Sequence, residues 1–235
     1  MVDENTNTGT LAVDIGGSGV KTMVLNHDGT PRTERKRVST PQPAKPEPIV
    51  NAIVQLAGEQ GDFERVSVGF PGVVRNGIIK TAANLDREWI DFNLATTLSN
   101  ELNKPVRVAN DADVQGFGAI SGEGVELVVT LGTGFGSALF ADGKLVPNLE
   151  MGHHPFRKGQ TYEEQLGRAA LDLVGKKKWN ARLEKAIASL AYLFNYDYLY
   201  IGGGNTDRIT IDMPSNVKVV PNVSGLLGGI ALWRD

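Results

Sequence analysis

Three glycine-rich segments follow runs of apolar residues and have the composition of phosphate-binding turns. They are Gly16-Gly17-Ser18-Gly19, Gly132-Thr133-Gly134-Phe135-Gly136 and Gly202-Gly203-Gly204. Their backbone N–H groups can point at an anion because no Cβ atom stands in the way. None has the spacing of a Walker loop or of a dinucleotide-binding fingerprint. A single glycine turn is most often a plain hairpin, whereas three in one chain favour a phosphate cleft between two lobes.

Charged side chains accompany the first of these turns. Asp14 ends the preceding apolar run, and a carboxylate beside a phosphate is a natural partner for Mg²⁺. The alternative is an aspartate that only caps the turn by accepting from nearby N–H groups. Lys21 follows the turn and could either reach a phosphate or lie in solvent at a sheet edge.

The segment Asn110-Asp111-Ala112-Asp113 follows the apolar run Val106-Arg107-Val108 and precedes a helical stretch. Sites of α/β proteins lie at the carboxyl ends of strands, so Asp111 is a candidate general base. A sugar hydroxyl is a poor nucleophile, and phosphoryl transfer to it needs an oriented proton acceptor. Two alternatives stay open, namely Asp111 as a helix N-cap and Asp113 as the base.

Two of the three histidines of the chain occur in Glu150-Met151-Gly152-His153-His154. Glutamate and histidine side chains can both hydrogen-bond to the vicinal hydroxyls of a polyol. A structural zinc site is usually completed by four Cys or His ligands, and the chain has no cysteine. We therefore expect polyol contacts and no zinc, with a plain surface loop as the alternative.

One group of basic residues forms a cluster in a chain whose net charge is −3. They are Arg157, Lys158, Arg168 and Lys176-Lys177-Lys178. A solvated helix start is the simpler explanation for any one of these side chains. Together they could form a track for an extended polyanion.

Positioning these residues requires strands that alternate with helices. Apolar runs predict strands at 11–15, 20–25, 66–70, 106–108, 127–131, 137–141 and 198–201. Helices are predicted from residue 49 and at 92–103, 162–174 and 224–233, with a proline-rich loop at 39–48. At an offset of 116 residues Asp14 falls on Thr130 and Gly16 falls on Gly132, which indicates a duplicated unit. The class is therefore α/β.

The composition limits the function. The 235 residues are 41% hydrophobic and 22% charged, which is typical of a globular protein and not of a disordered chain. The net charge of −3 argues against a dedicated nucleic-acid binder. We expect no secretory signal in the polar N-terminus, no membrane-spanning stretch and a location in the cytoplasm.

Taken in order, these motifs resemble the ROK sugar kinases, which have the two-lobed actin/hexokinase-like ATPase (ribonuclease H-like) fold with duplicated lobes. The resemblance extends from about Leu11 to Trp233. It rests on D-I-G-G-S-G-V-K at 14–21, G-F-P-G at 69–72, A-N-D-A-D at 109–113, L-G-T-G-F-G-S-A-L-F at 131–140, E-M-G-H at 150–153 and I-G-G-G-N at 201–205. The fourth motif, with K-K-K-W at 176–179, is most similar to the polyphosphate glucokinase branch.

The resemblance implies a role for each matching position. Asp111 would be the base that takes the proton of the glucose 6-hydroxyl. The rest of the sugar pocket would consist of Pro71, Gly72, Asn110, Glu150, His153 and Glu163, with Glu164 as an alternative to Glu163. The phosphate donor would be bound by Asp14, Gly16, Gly17, Ser18, Gly19, Lys21, Thr133, Gly134, Gly136, Gly202, Gly203 and Gly204, with Mg²⁺ at Asp14.

The resemblance also implies an activity, which is transfer of a terminal phosphoryl group from polyphosphate, and also from ATP, to glucose. A strictly ATP-dependent hexokinase or glucokinase of the family is one alternative, and a catalytically silent sugar-sensing protein is another. Many members carry a cysteine-rich zinc motif after the histidine, but residues 156–171 contain no cysteine. The implied assembly is a homodimer that binds neither nucleic acid nor membrane.

The expected division of the chain has three parts. They are a flexible N-terminus at 1–10, a first lobe at 11–109 with the first phosphate motif, and a second lobe at 110–235 with the second phosphate motif. The last helix is a candidate to pack back on the first lobe.

Overall fold

Strands alternate with helices through the computed structural model, which describes residues 8–82, 85–221 and 224–234. The predicted α/β class is confirmed. The chain separates into two units, one formed by Met1–Gly118 with Val223–Asp235 and the other by Ala119–Asn222.

The first unit contains a five-stranded sheet and a small separate hairpin. Its elements are β1 (Thr10–Ile15), β2 (Val20–Leu25), β3 (Lys36–Val38), α1 (Pro46–Gly58), β4 (Arg65–Phe70), β5 (Val74–Arg75), β6 (Ile78–Ile79), α2 (Leu94–Leu102), β7 (Val106–Asn110) and α3 (Asp111–Phe117). The sheet order is β3-β2-β1-β4-β7, and β5 pairs with β6. Strands β1, β4 and β7 run parallel, whereas β2 is antiparallel to both of its neighbours.

The second unit repeats this arrangement. Its elements are β8 (Val125–Leu131), β9 (Phe135–Ala141), β10 (Lys144–Val146), β11 (Pro155–Arg157), β12 (Gln160–Thr161), α4 (Tyr162–Leu166), α5 (Arg168–Phe194), β13 (Tyr198–Gly202) and β14 (Val217–Val219). The sheet order is β10-β9-β8-β13-β14, and β11 pairs with β12. An antiparallel meander followed by two parallel strands thus occurs in both units, which is the duplication that the glycine spacing predicts.

Side chains of β1 point alternately to the two faces of the first sheet, and each face packs against different elements. Leu11, Val13 and Ile15 belong to a core that also contains buried residues of α1 and α2. Ala12 belongs to a smaller cluster with Leu226 of the last helix, α6 (Ser224–Leu227). The period of two in a strand therefore places helices on both faces of the sheet.

The last helix is shorter than the sequence predicts. After α6 the chain continues as a 3₁₀ helix over Gly228–Trp233. A methyl group at Gly228 would overlap the carbonyl oxygen of Val114 in α3, and the Ser67 hydroxyl donates to the carbonyl oxygen of Gly229 over 2.6 Å. These two glycines let the returning backbone lie directly on the first unit.

The core of the second unit is built on α5. Trp179, Leu183, Ile187 and Leu190 recur at helical spacing and are buried. They pack in one cluster with strand residues such as Leu127. Gly175, with φ 75° and ψ 161°, interrupts the helix, so α5 consists of two helical segments.

Three boundaries differ from the sequence predictions for physical reasons. The predicted helix at 162–174 is broken at Gly167, where a Cβ atom would lie 2.9 Å from the carbonyl oxygens of Glu163 and Thr133. Helix α1 begins at Pro46, inside the predicted loop, because proline is tolerated in a first helical turn. The first unit extends to Gly118 and not to residue 109, because α3 packs on β4 and on the C-terminal segment.

The structure describes only the last part of the N-terminus that we expect to be flexible, residues 1–10. Residues 1–7 lie outside the described residues, whereas Thr10 is already fully buried in β1. None of the helices described is long and apolar enough to cross a bilayer.

Candidate active site

The first set of predicted site residues lies at the carboxyl ends of three parallel strands. In the sheet register Asp14 of β1 is opposite Gly69 of β4, and Gly69 is opposite Ala109 of β7. Phe70 is opposite Asn110 in the same way. The carboxyl edge of the first sheet therefore brings Asp14, the turn after β4 and the start of α3 together, as expected for an α/β site.

Asp14 and Lys21 form an ion pair across the β1–β2 hairpin. They are register partners, and Lys21 Nζ lies 2.7 Å from Asp14 Oδ2. Both side chains are about one-fifth exposed, at 20% for Asp14 and 24% for Lys21. The predicted carboxylate and the predicted phosphate-binding lysine are thus direct partners beside the first glycine turn.

Asn110, and not Asp111, is the N-cap of α3. Its Oδ1 accepts from the amides of Ala112, at 2.8 Å, and Asp113, at 3.3 Å. Asp111 is the first residue of the helix and is partly exposed, whereas Asp113 is buried. Of the two candidate bases, Asp111 is the one that a substrate can reach.

Two glycines of the G-F-P-G motif allow close backbone approach. A Cβ atom at Gly69 would lie 3.3 Å from Asp111 Cα, and one at Gly72 would overlap the carbonyl oxygen of Thr81. Asn110 Nδ2 donates to the carbonyl oxygen of Gly72 over 3.1 Å. The Pro71-Gly72 turn is therefore tied to the start of the helix that carries Asp111.

The second unit brings its two glycine segments together. The amide of Asn205, just after Gly202-Gly203-Gly204, donates to the carbonyl oxygen of Leu131 over 2.9 Å. Gly203 has a φ of +94°, and a Cβ atom there would lie 2.5 Å from the carbonyl oxygen of Leu131. The segment at 202–204 thus lies against the end of β8, directly before the turn that contains Thr133 and Gly134, while Gly136 lies within β9 opposite Thr130.

Glu150, His153 and Glu163 form a second group in the same unit. His153 Nε2 lies 4.0 Å from Glu150 Oε2, and Glu163 Oε2 accepts from the amide of Phe135 over 3.1 Å. Burial raises the pKa of the Glu150 carboxyl, and the Glu163 carboxylate raises it further, whereas His153 acts in the opposite direction. The Phe135 contact also places Glu163 beside the second glycine turn.

The structure separates the roles of Glu163 and Glu164. Glu164 forms a capping box at the start of α4, in which its carboxylate accepts from the Thr161 amide and its own amide donates to the Thr161 hydroxyl. A carboxylate that is bonded in this way stabilises a helix end. Glu163 is therefore the better candidate for the sugar pocket.

The basic residues lie at separate places in the second unit. Lys176, Lys177 and Lys178 are exposed at the start of the second segment of α5. Arg157 and Lys158 belong to the β11–β12 hairpin. Arg168 begins α5 and forms an ion pair with Asp172 at 3.1 Å. Only Arg168 bonds to the second glycine turn, because its amide donates to the carbonyl oxygens of Gly132 and Thr133.

Sequence reasoning assigned no role to Asn205 or Thr40, although both bond to glycine turns. Asn205 Nδ2 donates to the carbonyl oxygen of Gly132 over 2.8 Å, and the Thr40 hydroxyl donates to that of Gly16 over 2.5 Å. The position of Asn205 directly after three glycines was the only available signal. Nothing in the sequence around Thr40 indicates its contact.

The donor set suits a magnesium ion better than a structural metal. Within the described residues no group of three or more His, Cys, Asp or Glu side chains is arranged so that it could hold a metal ion. Mg²⁺ needs only one or two protein carboxylates because it keeps water and substrate phosphates as ligands. Asp14 fits this requirement, since only its Oδ2 is bonded to another described side chain.

Comparison with known proteins identifies relatives along most of the chain. The model of the ROK family matches residues 10–168. The polyphosphate glucokinase of Mycobacterium leprae is 33% identical over 234 residues, which cover 94% of this chain and 71% of the relative. The polyphosphate glucokinase of Mycobacterium tuberculosis strain H37Rv is 33% identical over 238 residues, covering 93% and 88%.

Solved structures show the same architecture. The inorganic polyphosphate/ATP-glucomannokinase of Arthrobacter sp. strain KM matches with a TM-score of 0.87 and 32% identity, over 97% of this chain and 100% of that one. A ROK family glucokinase from Streptomyces griseus, in complex with glucose and AMPPNP, has a TM-score of 0.77 at 22% identity, over 95% and 98%, and supports the fold alone. The predicted actin/hexokinase-like fold with duplicated lobes is thus confirmed, and with the family model matching residues 10–168 the chain belongs to the ROK family.

Proposed function

We propose that this protein is a glucokinase that transfers the terminal phosphoryl group of inorganic polyphosphate, and also of ATP, to the 6-hydroxyl of glucose. The observation that carries the proposal is the position of Asp111. It is a partly exposed carboxylate at the carboxyl end of β7, on a helix end that Asn110 ties to the Pro71-Gly72 turn. The names of the relatives supply the donor and acceptor classes.

Asp111 would act as a general base. Its carboxylate takes the proton of the 6-hydroxyl while that oxygen forms a bond to the terminal phosphorus. The bond from this phosphorus to the bridging oxygen breaks, and its electron pair stays on the shortened polyphosphate or on ADP. Such assistance contributes on the order of 10²–10⁴ in rate.

The second unit supplies groups for the other sugar hydroxyls. Glu150, His153 and Glu163 are close to one another, and carboxylate and imidazole groups can accept and donate hydrogen bonds to vicinal hydroxyls. By the family resemblance, the Pro71-Gly72 backbone and Asn110 are further candidates for contacts with the sugar. Asn110 already uses both ends of its amide on the backbone, so we assign it mainly to positioning.

The two glycine turns would bind the phosphates of the donor. Gly16, Gly17, Ser18 and Gly19 form one turn with Lys21 beside it, and Thr133, Gly134 and Gly136 belong to the other, next to Gly202–Gly204. Asp14 would hold Mg²⁺, which screens the negative charge of the phosphates when it is bound. Lys21 Nζ lies 2.7 Å from Oδ2 of the same carboxylate. This ion pair would hold the Asp14 side chain in place when no donor is bound.

Assays with separate donors test the proposal. Glucose 6-phosphate formation is followed with polyphosphate alone, with ATP alone and with both. We expect product with polyphosphate and a smaller or equal rate with ATP. Product with ATP only would establish the strictly ATP-dependent alternative. Glucose binding without product from either donor would establish the sugar-sensing alternative and exclude the kinase.

A substitution at Asp111 tests the mechanism. The Asp111→Asn variant should keep its glucose affinity, measured by calorimetry, and lose about 10²–10⁴ of turnover. Substantial residual turnover would remove Asp111 as the base. The buried Asp113 is the candidate that would then remain.

The basic residues of α5 give a test of the polyphosphate donor. Replacing Lys176, Lys177 and Lys178 with Gln should raise the KM for long-chain polyphosphate and leave the KM for ATP unchanged, because only a long polyanion would extend to these exposed side chains. Lys185→Gln, at another exposed position of α5, is the matched control. An equal effect on both donors would remove the lysines from the polyphosphate path.

By the family resemblance we also propose that the protein is a homodimer. Light scattering, which measures the mass of the particle in solution, tests this assembly.

A further inference from the structure

Several carbonyl groups of each glycine turn accept hydrogen bonds from groups of the same unit. In the first unit Thr40 Oγ1 donates to Gly16 O over 2.5 Å, and Arg37 Nη2 donates to Ser18 O over 3.1 Å. A third carbonyl of this turn, that of Gly19, accepts from the Gly16 amide over 3.0 Å. Each of these three carbonyls is thus bonded inside the unit.

The second glycine turn is held in the same way by different residues. Asn205 Nδ2 donates to Gly132 O over 2.8 Å, and the amide of Arg168 donates to Gly132 O and Thr133 O at 3.0 and 3.2 Å. Arg168 Nη1 in turn donates to Asn205 Oδ1 over 3.1 Å, which fixes the orientation of the amide group. The carbonyl of Gly134 accepts from the Gly132 amide over 3.2 Å.

The amide groups of the turn apices are left for another partner. Within the described residues nothing accepts a hydrogen bond from the amides of Gly17, Ser18, Thr133 or Gly134. The C=O and N–H bonds of one peptide unit point in opposite directions, so a hydrogen bond that fixes the carbonyl also fixes the direction of the N–H group. N–H groups that converge in this way bind anions. The bonded carbonyls therefore preorganise the turns as anion sites.

We propose that Thr40 and Asn205 are positioning residues of the two donor-phosphate sites, a role that rests on the proposed function. Both side chains are buried, with exposures of 6% and 2%, and each is the only described side chain that donates to the first carbonyl of its turn. Both side chains act through the backbone of the turns. They lower the cost of binding because the turns do not have to become ordered when the phosphates arrive.

Two substitutions remove these bonds with little change in shape. Thr40→Val deletes the donor hydroxyl, and Asn205→Asp deletes the donor to Gly132 while it keeps an acceptor for Arg168. Loss of a buried bond of this kind should raise the KM for each donor about tenfold. The KM for glucose and kcat should stay within about twofold, since the bonds of these side chains are to Gly16, Gly132 and Arg168 and not to residues of the proposed sugar pocket.

Two controls separate positioning from general destabilisation. Thr40→Ser retains the hydroxyl and should restore the wild-type donor KM. Gln60→Glu removes a buried amide that donates to the carbonyl oxygens of Thr22 and Glu34, away from both turns. It should lower the melting temperature without changing the donor KM. Thr40→Ala replaces Thr40→Val if the latter does not fold.

Calorimetry with tripolyphosphate, without glucose, gives a readout that needs no turnover. We expect about tenfold weaker binding for Thr40→Val and Asn205→Asp than for the wild type. Unchanged tripolyphosphate affinity in both variants, or an equal rise in the KM for glucose, would overturn the inference. A wild type that binds tripolyphosphate and forms no glucose 6-phosphate would instead overturn the proposed function and leave the binding test valid.

Discussion

Asn110 Nδ2 donates to the carbonyl oxygen of Gly72 over 3.1 Å, so one buried side chain joins the turn after β4 to the start of α3. The other end of the same amide caps α3 by accepting from the Ala112 amide. The position of Asp111 relative to the Pro71-Gly72 turn therefore depends on Asn110.

Two substitutions of Asn110 separate its N-cap hydrogen bond with the Ala112 amide from its hydrogen bond to the Gly72 carbonyl. Asp is as good an N-cap as Asn, so Asn110→Asp keeps the cap, but it cannot donate to Gly72. We expect its KM for glucose to rise about tenfold, since a buried hydrogen bond is lost. Asn110→Ala also loses the cap, and its melting temperature should fall further, by about 2–4 °C for about 1 kcal/mol. Steady-state kinetics and thermal denaturation measure both effects. A wild-type KM for glucose in Asn110→Asp would show that the hydrogen bond from Asn110 to Gly72 does not position the sugar site.

Gly203 and Gly204 are adjacent but should respond differently to alanine. Gly203 has a φ of +94°, and a Cβ atom there would lie 2.5 Å from the Leu131 carbonyl oxygen, whereas a Cβ atom at Gly204 has no neighbour within 4 Å. Gly203→Ala should therefore lower stability by more than about 1 kcal/mol, or at least about 2–4 °C in melting temperature. Gly204→Ala should melt close to the wild type. Equal melting temperatures would contradict the packing of this segment against β8.

The contrast between these neighbours shows what the sequence could and could not predict. Strands, helices and the duplication follow from apolar periodicity and from glycine spacing, which are local signals. The order G-G-G does not reveal which glycine lies against Leu131, because that depends on pairing between distant strands. The contact of Thr40 with Gly16 could not be predicted for the same reason, because the two residues are 24 positions apart in the sequence.

Tertiary packing also decided the boundaries that the pattern predicted less well. Residues 162–174 have helical composition, but the backbone of Gly167 fits between two carbonyl oxygens and breaks the helix. Helix α3 follows a strand end and could have started a second lobe. It belongs to the first unit because Gly228 of the C-terminal segment packs against Val114. A single sequence contains no local record of such contacts.

Glu163 and Glu164 provide a matched pair for the sugar pocket. Glu163→Ala should raise the KM for glucose about tenfold, because Glu163 lies beside Phe135 and near Glu150. Glu164→Ala should leave the KM unchanged and lower the melting temperature, since it removes one half of the capping box on Thr161. Kinetics and thermal denaturation of the two variants distinguish the residues. A raised KM in Glu164→Ala alone would reverse the assignment.

The raised pKa of Glu150 predicts a pH dependence of stability. Burial raises the pKa of this carboxyl above its ordinary value of 4.5. Between that value and the pKa in the folded state, the folded protein binds more protons than the unfolded chain. Glu150 therefore makes the free energy of unfolding fall as pH rises through this window, and the loss is complete above the folded-state pKa.

Glu150→Gln removes this titration and keeps a side chain of similar size. The melting temperature of the variant minus that of the wild type should increase as pH rises from 4 and level off above the folded-state pKa of Glu150. His153 opposes the burial effect, so His153→Gln should raise the pKa of Glu150 and move the plateau to higher pH. Thermal denaturation across a pH series measures both shifts. A difference that does not vary with pH would mean that Glu150 titrates in the folded protein as it does in the unfolded chain.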